Sequence, residues 1–188
     1  GAFSEGYDRL WTLHILENYS LPAIGDLDSV VWFGIIGIVS ALIGIVLTEY
    51  VRRRTDTHSH EAVARALMRI TGLLMVMIIV FALAGDFVLA LLAFWAIGAL
   101  RGVSYPLETA WINQRLDPQV RATVLSISAQ TNALGQIAGG PGVGYIGRLF
   151  GVRAALIAAS LILTPALALY ARTLRLGDST QPAEVPAA

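Results

Sequence analysis

The sequence predicts an all-α, polytopic helical membrane protein, and three observations support that fold class. Five strongly apolar stretches follow one another along the chain, at residues 30–47, 70–84, 87–100, 122–147 and 154–171. A hydrocarbon core about 30 Å thick needs roughly 20 mostly apolar helical residues to cross it, which each stretch supplies together with its flanks. The composition is 56% hydrophobic and 14% charged, with a mean hydropathy of +0.67, whereas soluble domains average about 25% charged residues. The third observation is that arginines gather in every second connection between the stretches.

The arginines predict which ends of the helices share one side of the membrane. Nine of them fall on one side of the predicted helices: Arg52, Arg53, Arg54, Arg65, Arg69, Arg115, Arg121, Arg172 and Arg175. Only Arg148 and Arg153 fall on the other side. Because short cytoplasmic loops are enriched in arginine and lysine, we expect the first group in the cytoplasm and the sharp break at Gly85 and Asp86 outside. The sequence thus predicts a multi-pass protein of the cell membrane whose C-terminus, residues 176–188, is a disordered cytoplasmic tail.

The residues before the first apolar stretch are expected to belong to a further helix. Residues 1–19 carry Glu5, Asp8 and Arg9, and they are too short and too polar to form a span by themselves. The alternation of sides requires this segment to run from inside to outside. We therefore expect the outer part of a helix whose inner part precedes residue 1. Six helices then form one transmembrane bundle over residues 1–175, with both ends in the cytoplasm.

Composition and motifs exclude several classes of function. The net charge is +0, so the chain lacks the basic field with which proteins bind nucleic acid. Cysteine is absent, which excludes disulfides and thiolate metal sites. The histidines do not form a metal site, since His58 and His60 are expected in a solvated loop. No His-Glu-x-x-His, Gly-x-Ser-x-Gly or phosphate-binding glycine loop occurs, so no enzyme, metal or cofactor is predicted.

Two of the predicted helices contain glycines at spacings that are typical of close helix packing. The second predicted helix carries Gly34, Gly37 and Gly44. The fifth carries two glycine pairs at i, i+4, in which small residues lie one turn apart: Gly135 with Gly139, and Gly140 with Gly144. Pro141 removes one helical hydrogen bond there and is expected to kink the helix. Helix packing is one interpretation of these glycines, and a gating hinge is the other.

Charged residues within membrane spans are costly, so they call for a functional hypothesis. Glu5, Asp8 and Arg9 stand at i, i+3 and i+4 and so share one helix face, next to Trp11 and Thr12. We expect Arg9 to pair with Glu5, which leaves Asp8 free for a proton or a substrate cation. The alternative is a structural network of ion pairs.

A second set of polar residues lies in the later helices. Arg101, Tyr105 and Glu108 stand at i, i+4 and i+7, on one face of the fourth predicted helix, with Arg101 about 22 Å from Asp86 along the axis. Together with the first set they are candidates for a substrate or proton pathway. Alternatively, Arg101 reaches the cytoplasmic side or forms a structural ion pair, and Glu108 bonds to Arg115 or Arg121. In the next helix, three amide side chains line a cavity or bridge neighbouring helices: Gln130, Asn132 and Gln136.

Several segments resemble the major facilitator superfamily of transporters. Residues 6–11 resemble the charged stretch in helix seven of many bacterial members. Residues 44–53 align with the family's G-x-x-x-D-R-x-G-R-R loop signature, in which Gly44, Arg52 and Arg53 match. Thr48, Glu49 and Val51 depart from that signature. Residues 121–126, followed by Gly139, Gly140 and Pro141, resemble the start and body of helix eleven.

The resemblance covers residues 1–175 and implies the C-terminal half of such a transporter, helices seven to twelve, built from two inverted three-helix repeats. In that fold helices seven and ten line the central cavity, and they correspond to the two helices that carry charge here. The implied function is secondary active transport of a small molecule by alternating access, coupled to an ion, with protons as the expected ion. The implied partners are the lipid bilayer and a missing N-terminal six-helix half. The alternative is a non-transporting membrane scaffold or assembly protein, whose helices associate through their glycines.

Overall fold

A computed structural model describes residues 1–21, 29–54, 59–114 and 116–178, and the regular secondary structure of this part of the chain is all α-helix, without strands. The helices are α1 (Ala2–Asn18), α2 (Ser29–Arg54), α3 (His60–Leu83), α4 (Phe87–Asn113), α5 (Arg121–Phe150), α6 (Val152–Leu161) and α7 (Thr164–Asp178). The all-α fold class is confirmed. The last helix continues to Asp178, beyond the predicted end of the bundle at 175, and residues 179–188 of the predicted tail lie outside the described residues.

Helices α6 and α7 form one rod with a local break, so the seven segments count as six helices. The amide of Ile162 is shared between the carbonyls of Ala158 and Ala159, and the amide of Leu163 bonds the carbonyl of Ser160 at 3.1 Å. This tighter turn precedes Pro165, which has no amide proton to continue the α-helical pattern.

Four helices are long and apolar enough to cross a membrane, judged by length and composition: Val31–Val51, His60–Leu83, Phe87–Asn113 and Val152–Arg175. They indicate a membrane-embedded protein, and they agree with four of the five predicted apolar stretches. The remaining predicted stretch, residues 122–147, lies in α5, which has 30 residues but is not one of the four candidate spans. The reason is that hydroxyl and amide side chains interrupt its apolar residues. Helix α1 has only 17 residues and carries three charges in its first half.

The helices alternate in direction, as the arginine pattern predicts. At one end of the bundle, His60 stacks on Trp111 with ring centroids 5.0 Å apart, and Trp111 meets Tyr170 edge-on at 5.6 Å. These contacts join the start of α3, the end of α4 and α7. At the opposite end, Nε of Arg153 donates to Oδ1 of Asn18 at 3.1 Å, which joins the start of α6 to the end of α1.

The core lies between α1, α3, α4 and α6, where Ile78, Phe81, Ile97 and Leu156 are fully buried. Helix α2 lies at the periphery against α4, and only 6% of its apolar window is buried. Two of its contacts with α4 show how closely it packs there. Nε1 of Trp95 donates to the carbonyl of Ile36 at 3.2 Å, and a Cβ at Gly98 would lie 2.8 Å from Oγ of Ser40.

The glycines predicted to pack α2 closely do not do so within the described chain. A Cβ built at Gly34, Gly37 or Gly44 meets no atom within 4 Å. The prediction of close packing through these three glycines is therefore wrong for this bundle. The α2–α4 contact instead uses Gly98, a glycine of the partner helix.

The glycines of α5 follow the prediction more closely. Helices α1 and α5 run in the same direction, because Ala2 lies against Gly139 while Gly6, one turn further on, lies against Val143. A Cβ at Gly139 would overlap the backbone of Ala2, so Gly139 permits close approach of two backbones. Gly144 has open space around it. Helix α5 runs through Pro141 without interruption.

Candidate functional site

The central feature of the candidate site is an ion pair between two helices that are distant in sequence. Nη1 of Arg101 in α4 donates to Oδ1 of Asp8 in α1 at 2.6 Å, and Nη2 donates to Oδ2 at 2.8 Å. Two parallel hydrogen bonds of this kind fix both the distance and the orientation of the two groups. The prediction that Asp8 stays free for a proton or a cation is therefore wrong for this conformation. Asp8 is engaged because α4 brings a guanidinium to the same level of the bundle.

The guanidinium of Arg101 is also held by aromatic rings. Phe3 and Tyr7 stand at i, i+4 on α1, and the central guanidinium carbon lies 5.7 Å and 5.5 Å from their ring centroids. At these distances a cation is attracted by the ring faces. The side chain of Arg101 is 31% exposed, whereas that of Asp8 is 50% exposed. The arginine is thus the more firmly placed member of the pair.

Tyr7 has an unusual environment of its own. The residue is 2% exposed, and its hydroxyl has no hydrogen-bond partner among the described residues. Its ring also lies 6.0 Å from that of Phe81, so it connects the candidate site to the core. A buried hydroxyl without a partner lowers stability by about 1–3 kcal/mol.

A second ion pair lies on the same helix, as predicted. Nε of Arg9 donates to Oε1 of Glu5 at 2.5 Å, one helical turn away. The pair lies over Gly140 of α5, where a Cβ would be 3.0 Å from Cγ of Glu5 and 3.4 Å from Nε of Arg9. The glycine therefore makes room for this pair as well as for helix packing.

The remaining pathway candidates are exposed. Tyr105 is 76% exposed and Glu108 is exposed too, and no ion pair joins Glu108 to Arg121 in the described part of the chain. Arg115, the other predicted partner, lies outside the described residues. Asn132 of α5 is exposed, and its backbone carbonyl and Oδ1 lie beside Gly1. Gln130 and Gln136 lie on α5 as well, and Gln130 reaches Oγ of Ser126 at 3.5 Å.

Contacts between neighbouring helices join these groups into one surface, which we call the polar face: Glu5, Asp8 and Arg9 of α1, Arg101 of α4 and Asn132 of α5. The polar face carries two positive charges, on Arg9 and Arg101, and two negative charges, on Glu5 and Asp8. Glu108 lies about two helical turns beyond Arg101 on α4. Within residues 1–21, 29–54, 59–114 and 116–178, no group of His, Asp or Glu is arranged to hold a metal ion. The charged and amide side chains of the polar face can form hydrogen bonds and ion pairs.

The predicted loop signature at the end of α2 shows a local ion pair. Nε of Arg53 donates to Oε1 of Glu49 at 2.6 Å, one turn earlier on the same helix. Glu49 is one of the positions that depart from the signature. The side chain of Arg52 lies outside the described residues, and Gly44 has open space on its surface. A gating role for this loop stays a prediction.

Sequence reasoning missed a buried hydrogen-bond network at the end of the bundle opposite Trp111. His14 is fully buried, and its Nε2 lies 3.0 Å from the carbonyl of Phe81 in the last turn of α3. A carbonyl only accepts, so Nε2 carries the proton and Nδ1 accepts from Nδ2 of Asn18 at 3.2 Å. The Tyr19 hydroxyl donates to the carbonyl of Ala84 at 2.9 Å, and burial raises the pKa of that hydroxyl, which keeps it a donor.

This network satisfies carbonyls that a helix end leaves without partners. The last four carbonyls of an α-helix have no intrahelical donor, and two side chains of the α1 end supply donors to α3 and its cap. The only sequence signal was the i, i+4 spacing of His14 and Asn18, which does not indicate the partner helix.

The fold and the polar face define a class: an all-α, membrane-embedded protein with paired charges on one surface of its helix bundle. Comparisons with known protein families, with curated proteins and with solved structures found no match.

Proposed function

We propose that this chain is the C-terminal half of a secondary active transporter, which moves a small molecule across a membrane by alternating access. The observation that carries the proposal is the partly exposed ion pair of Asp8 and Arg101. Arg101 lies about 21 Å along α4 from Phe87, far from the outer helix end. A charge at this depth costs at least about 2.5 kcal/mol on insertion scales, so such charges are kept for a function or a partner.

The exposure of the polar face supports the proposal that a second half of the transporter covers this surface. Lipid can cover the apolar surface of α2, but its hydrocarbon offers no hydrogen-bond partners to Asp8, Arg9 or the amide side chains of α5. A second helical unit enclosing a water-filled cavity would satisfy these groups and create a binding site between the halves. The resemblance of residues 1–175 to helices seven to twelve of the major facilitator superfamily agrees with this proposal.

The ion pairs also support coupling to protons. A carboxylate beside an arginine stays charged, and it gains a proton more easily when that contact opens. Movement of α1 against α4 separates Asp8 from Arg101, whereas Glu5 and Arg9 move together because they share one helix. Asp8 is therefore the better candidate for a proton carrier, with Glu5 second.

The proposed location is the cell membrane, with the arginine-rich end of the bundle in the cytoplasm. Arg65, Arg69, Arg121, Arg172 and Arg175 lie towards the end that carries Trp111 and Tyr170. This agrees with the enrichment of arginine in cytoplasmic connections. The C-terminus is then cytoplasmic.

The test is proton-coupled transport by the complete protein in liposomes, using a substrate screen under an imposed pH gradient. We expect Asp8→Asn to abolish accumulation against a gradient, because its side chain can no longer exchange a proton. Glu61→Gln is the matched control, since Glu61 forms a helix-surface pair with Arg65 away from the polar face. Unchanged coupling in both Glu5→Gln and Asp8→Asn would rule out these carriers, and absence of flux for every compound would contradict transport.

The second candidate is a membrane scaffold or assembly protein. The observation that favours it is the uncovered surface of α2, where Ile38, Ile45 and Val46 are 64–70% exposed and Gly34 and Gly37 are open. The sequence directly upstream of Gly1 in the genome distinguishes the two functions. About six further spans support the transporter, whereas a start codon at this point supports the scaffold.

A further inference from the structure

We propose that Arg101 binds an anionic group of the transported molecule, which replaces Asp8 on the guanidinium while Asp8 takes up a proton. This inference rests on the proposed transport function and deepens it, because it names the substrate class and the origin of the coupling. The substrate class is a small organic anion, such as a carboxylate.

The first step of the argument is that the arginine stays in place when the pair opens. Its guanidinium lies over the neighbouring rings of Phe3 and Tyr7, at 5.7 Å and 5.5 Å from their centroids, and its side chain is 31% exposed. Asp8 is 50% exposed, and its short side chain has only two rotatable bonds. A new rotamer of Asp8 therefore frees the guanidinium edge without disturbing the aromatic contacts.

The second step is geometric complementarity. The edge of Arg101 that holds Asp8 presents Nη1 and Nη2 to two carboxylate oxygens, at 2.6 Å and 2.8 Å. A substrate carboxylate matches this edge with the same two hydrogen bonds, and the fork geometry favours planar anions over spherical ones.

The third step is charge balance. In the observed state the carboxylate of Asp8 and the guanidinium of Arg101 sum to zero. When an anion takes the place of Asp8, one proton from water on the carboxyl of Asp8 restores a sum of zero. Binding of the anion without the proton would leave one uncompensated negative charge at a depth where charges are costly. One proton therefore enters with each anion, and no heavy-atom bond forms or breaks.

The surrounding charges leave Asp8 as the group that takes the proton. On its own helix, Glu5 is paired with Arg9, and Tyr7 is a neutral phenol. On α4, Glu108 lies about 10 Å beyond Arg101 along the axis. On α5, the segment that packs against α1 contributes glycines and Val143 and no charged side chain.

A cationic substrate fits the geometry less well. It would bind Asp8 only by displacing Arg101, which would remain over the rings of Phe3 and Tyr7 with no counter-ion. Cation binding is therefore the outcome that the test must distinguish from anion binding.

The experiment measures binding and proton uptake together, with the complete protein in lipid nanodiscs in weakly buffered solution containing a pH indicator. The probes are acetate, benzoate and succinate, with tetraethylammonium as the cation. We expect at least one anion to bind with uptake of about one proton per anion. Arg101→Gln should weaken that binding at least tenfold, and Asp8→Asn should bind the anion without proton uptake.

Two sets of controls keep the result interpretable. Glu61→Gln and Arg65→Gln remove a surface pair that also consists of a carboxylate and an arginine, and both variants should leave binding and proton uptake unchanged. If Arg101→Gln does not fold, the charge-neutral double variant of Asp8→Asn with Arg101→Gln takes its place and should likewise lose anion binding. Binding of tetraethylammonium alone, failure of all three anions, or anion binding that is unchanged without Arg101 would each overturn the proposal.

Transport assays separate this inference from the proposed function. Anion binding with proton uptake but no flux through liposomes would support the site and contradict the transporter. Flux of a cation or a neutral molecule that is insensitive to Arg101→Gln would support the transporter and contradict the anion site.

Discussion

The contact between α1 and α5 allows a sharp test of how this bundle is held together. Gly139 lies against the backbone of Ala2, and a Cβ at this position would overlap the Cα, carbonyl carbon and oxygen of that residue. Backbone atoms cannot rotate away as a side chain can, so Gly139→Ala must push α1 outward. Gly144 lies on the same helix with open space around it, so Gly144→Ala is the matched control.

The expected magnitude follows from two opposing effects. Alanine favours a helix over glycine by about 0.8–1.0 kcal/mol, and this gain is shared by both variants. Inserting a methyl group into a filled contact costs about 1–3 kcal/mol, and only Gly139→Ala has this cost. We therefore expect Gly139→Ala to be less stable than Gly144→Ala by about 1–3 kcal/mol. For a chain of 188 residues, at about 2–4 °C per kcal/mol, the midpoints should differ by about 2–12 °C.

The assay is thermal unfolding in detergent, followed by the fluorescence of the four tryptophans. The displacement of α1 should also lengthen the bond from Arg101 to Asp8, so Gly139→Ala should reduce the function of the site while Gly144→Ala leaves it intact. Equal midpoints for the two variants would refute the close approach of α1 and α5 on which this reasoning depends.

Three further predictions concern single contacts, each measured by the same unfolding assay. Tyr7→Phe should raise the free energy of unfolding by about 1 kcal/mol, because it removes a buried hydroxyl without a partner; a clear loss would show that the hydroxyl is bonded. His14→Leu should lower it by about 1–3 kcal/mol, because the carbonyl of Phe81 loses its donor, and an unchanged midpoint would contradict the network. Gly98→Ala should destabilise the α2–α4 contact, because its Cβ meets Oγ of Ser40 at 2.8 Å, and Ser40→Ala should restore stability in the double variant; independent effects would argue against this contact.

The sequence allowed good prediction of the helices because their causes are local. Apolar length locates a span, and in the structure capping side chains mark the starts of two helices. Oγ of Ser59 accepts from the amide of Ala62 at 3.2 Å, and Oδ1 of Asp86 accepts from that of Leu89 at 2.9 Å. The helices extend beyond the apolar stretches: α4 continues past the stretch that ends at residue 100, through the predicted helical positions Arg101, Tyr105 and Glu108, to Asn113. Hydropathy detects the apolar part of a helix, whereas the polar end of the helix must be predicted from other features such as helical spacing.

The candidate site was predictable only where its contacts lie within one helix. Helical spacing alone indicates the pair of Glu5 and Arg9, which are four residues apart. Asp8 and Arg101 are 93 residues apart, and spacing places each on a face without indicating which face it meets. The same limit explains why Gly34 and Gly37 were expected to pack closely. A glycine creates room for a neighbour, but the tertiary arrangement decides whether a neighbour is there.

Polar and apolar residues are distributed unevenly over the surface of the bundle, and lipid suits only part of that surface. The surface of α2 is apolar, so hydrocarbon can cover it even though only 6% of its window is buried within the chain. Helices α1 and α5 are the two that fall short of a membrane span in length or composition, and they lie side by side. Their neighbour α4 contributes Arg101 to the same surface. Because polar groups in hydrocarbon need internal partners, the surface formed by these three helices requires water or further protein against it. The proposed second half would enclose a cavity that meets this requirement, and water in that cavity would let the partners of Asp8 and Arg101 exchange.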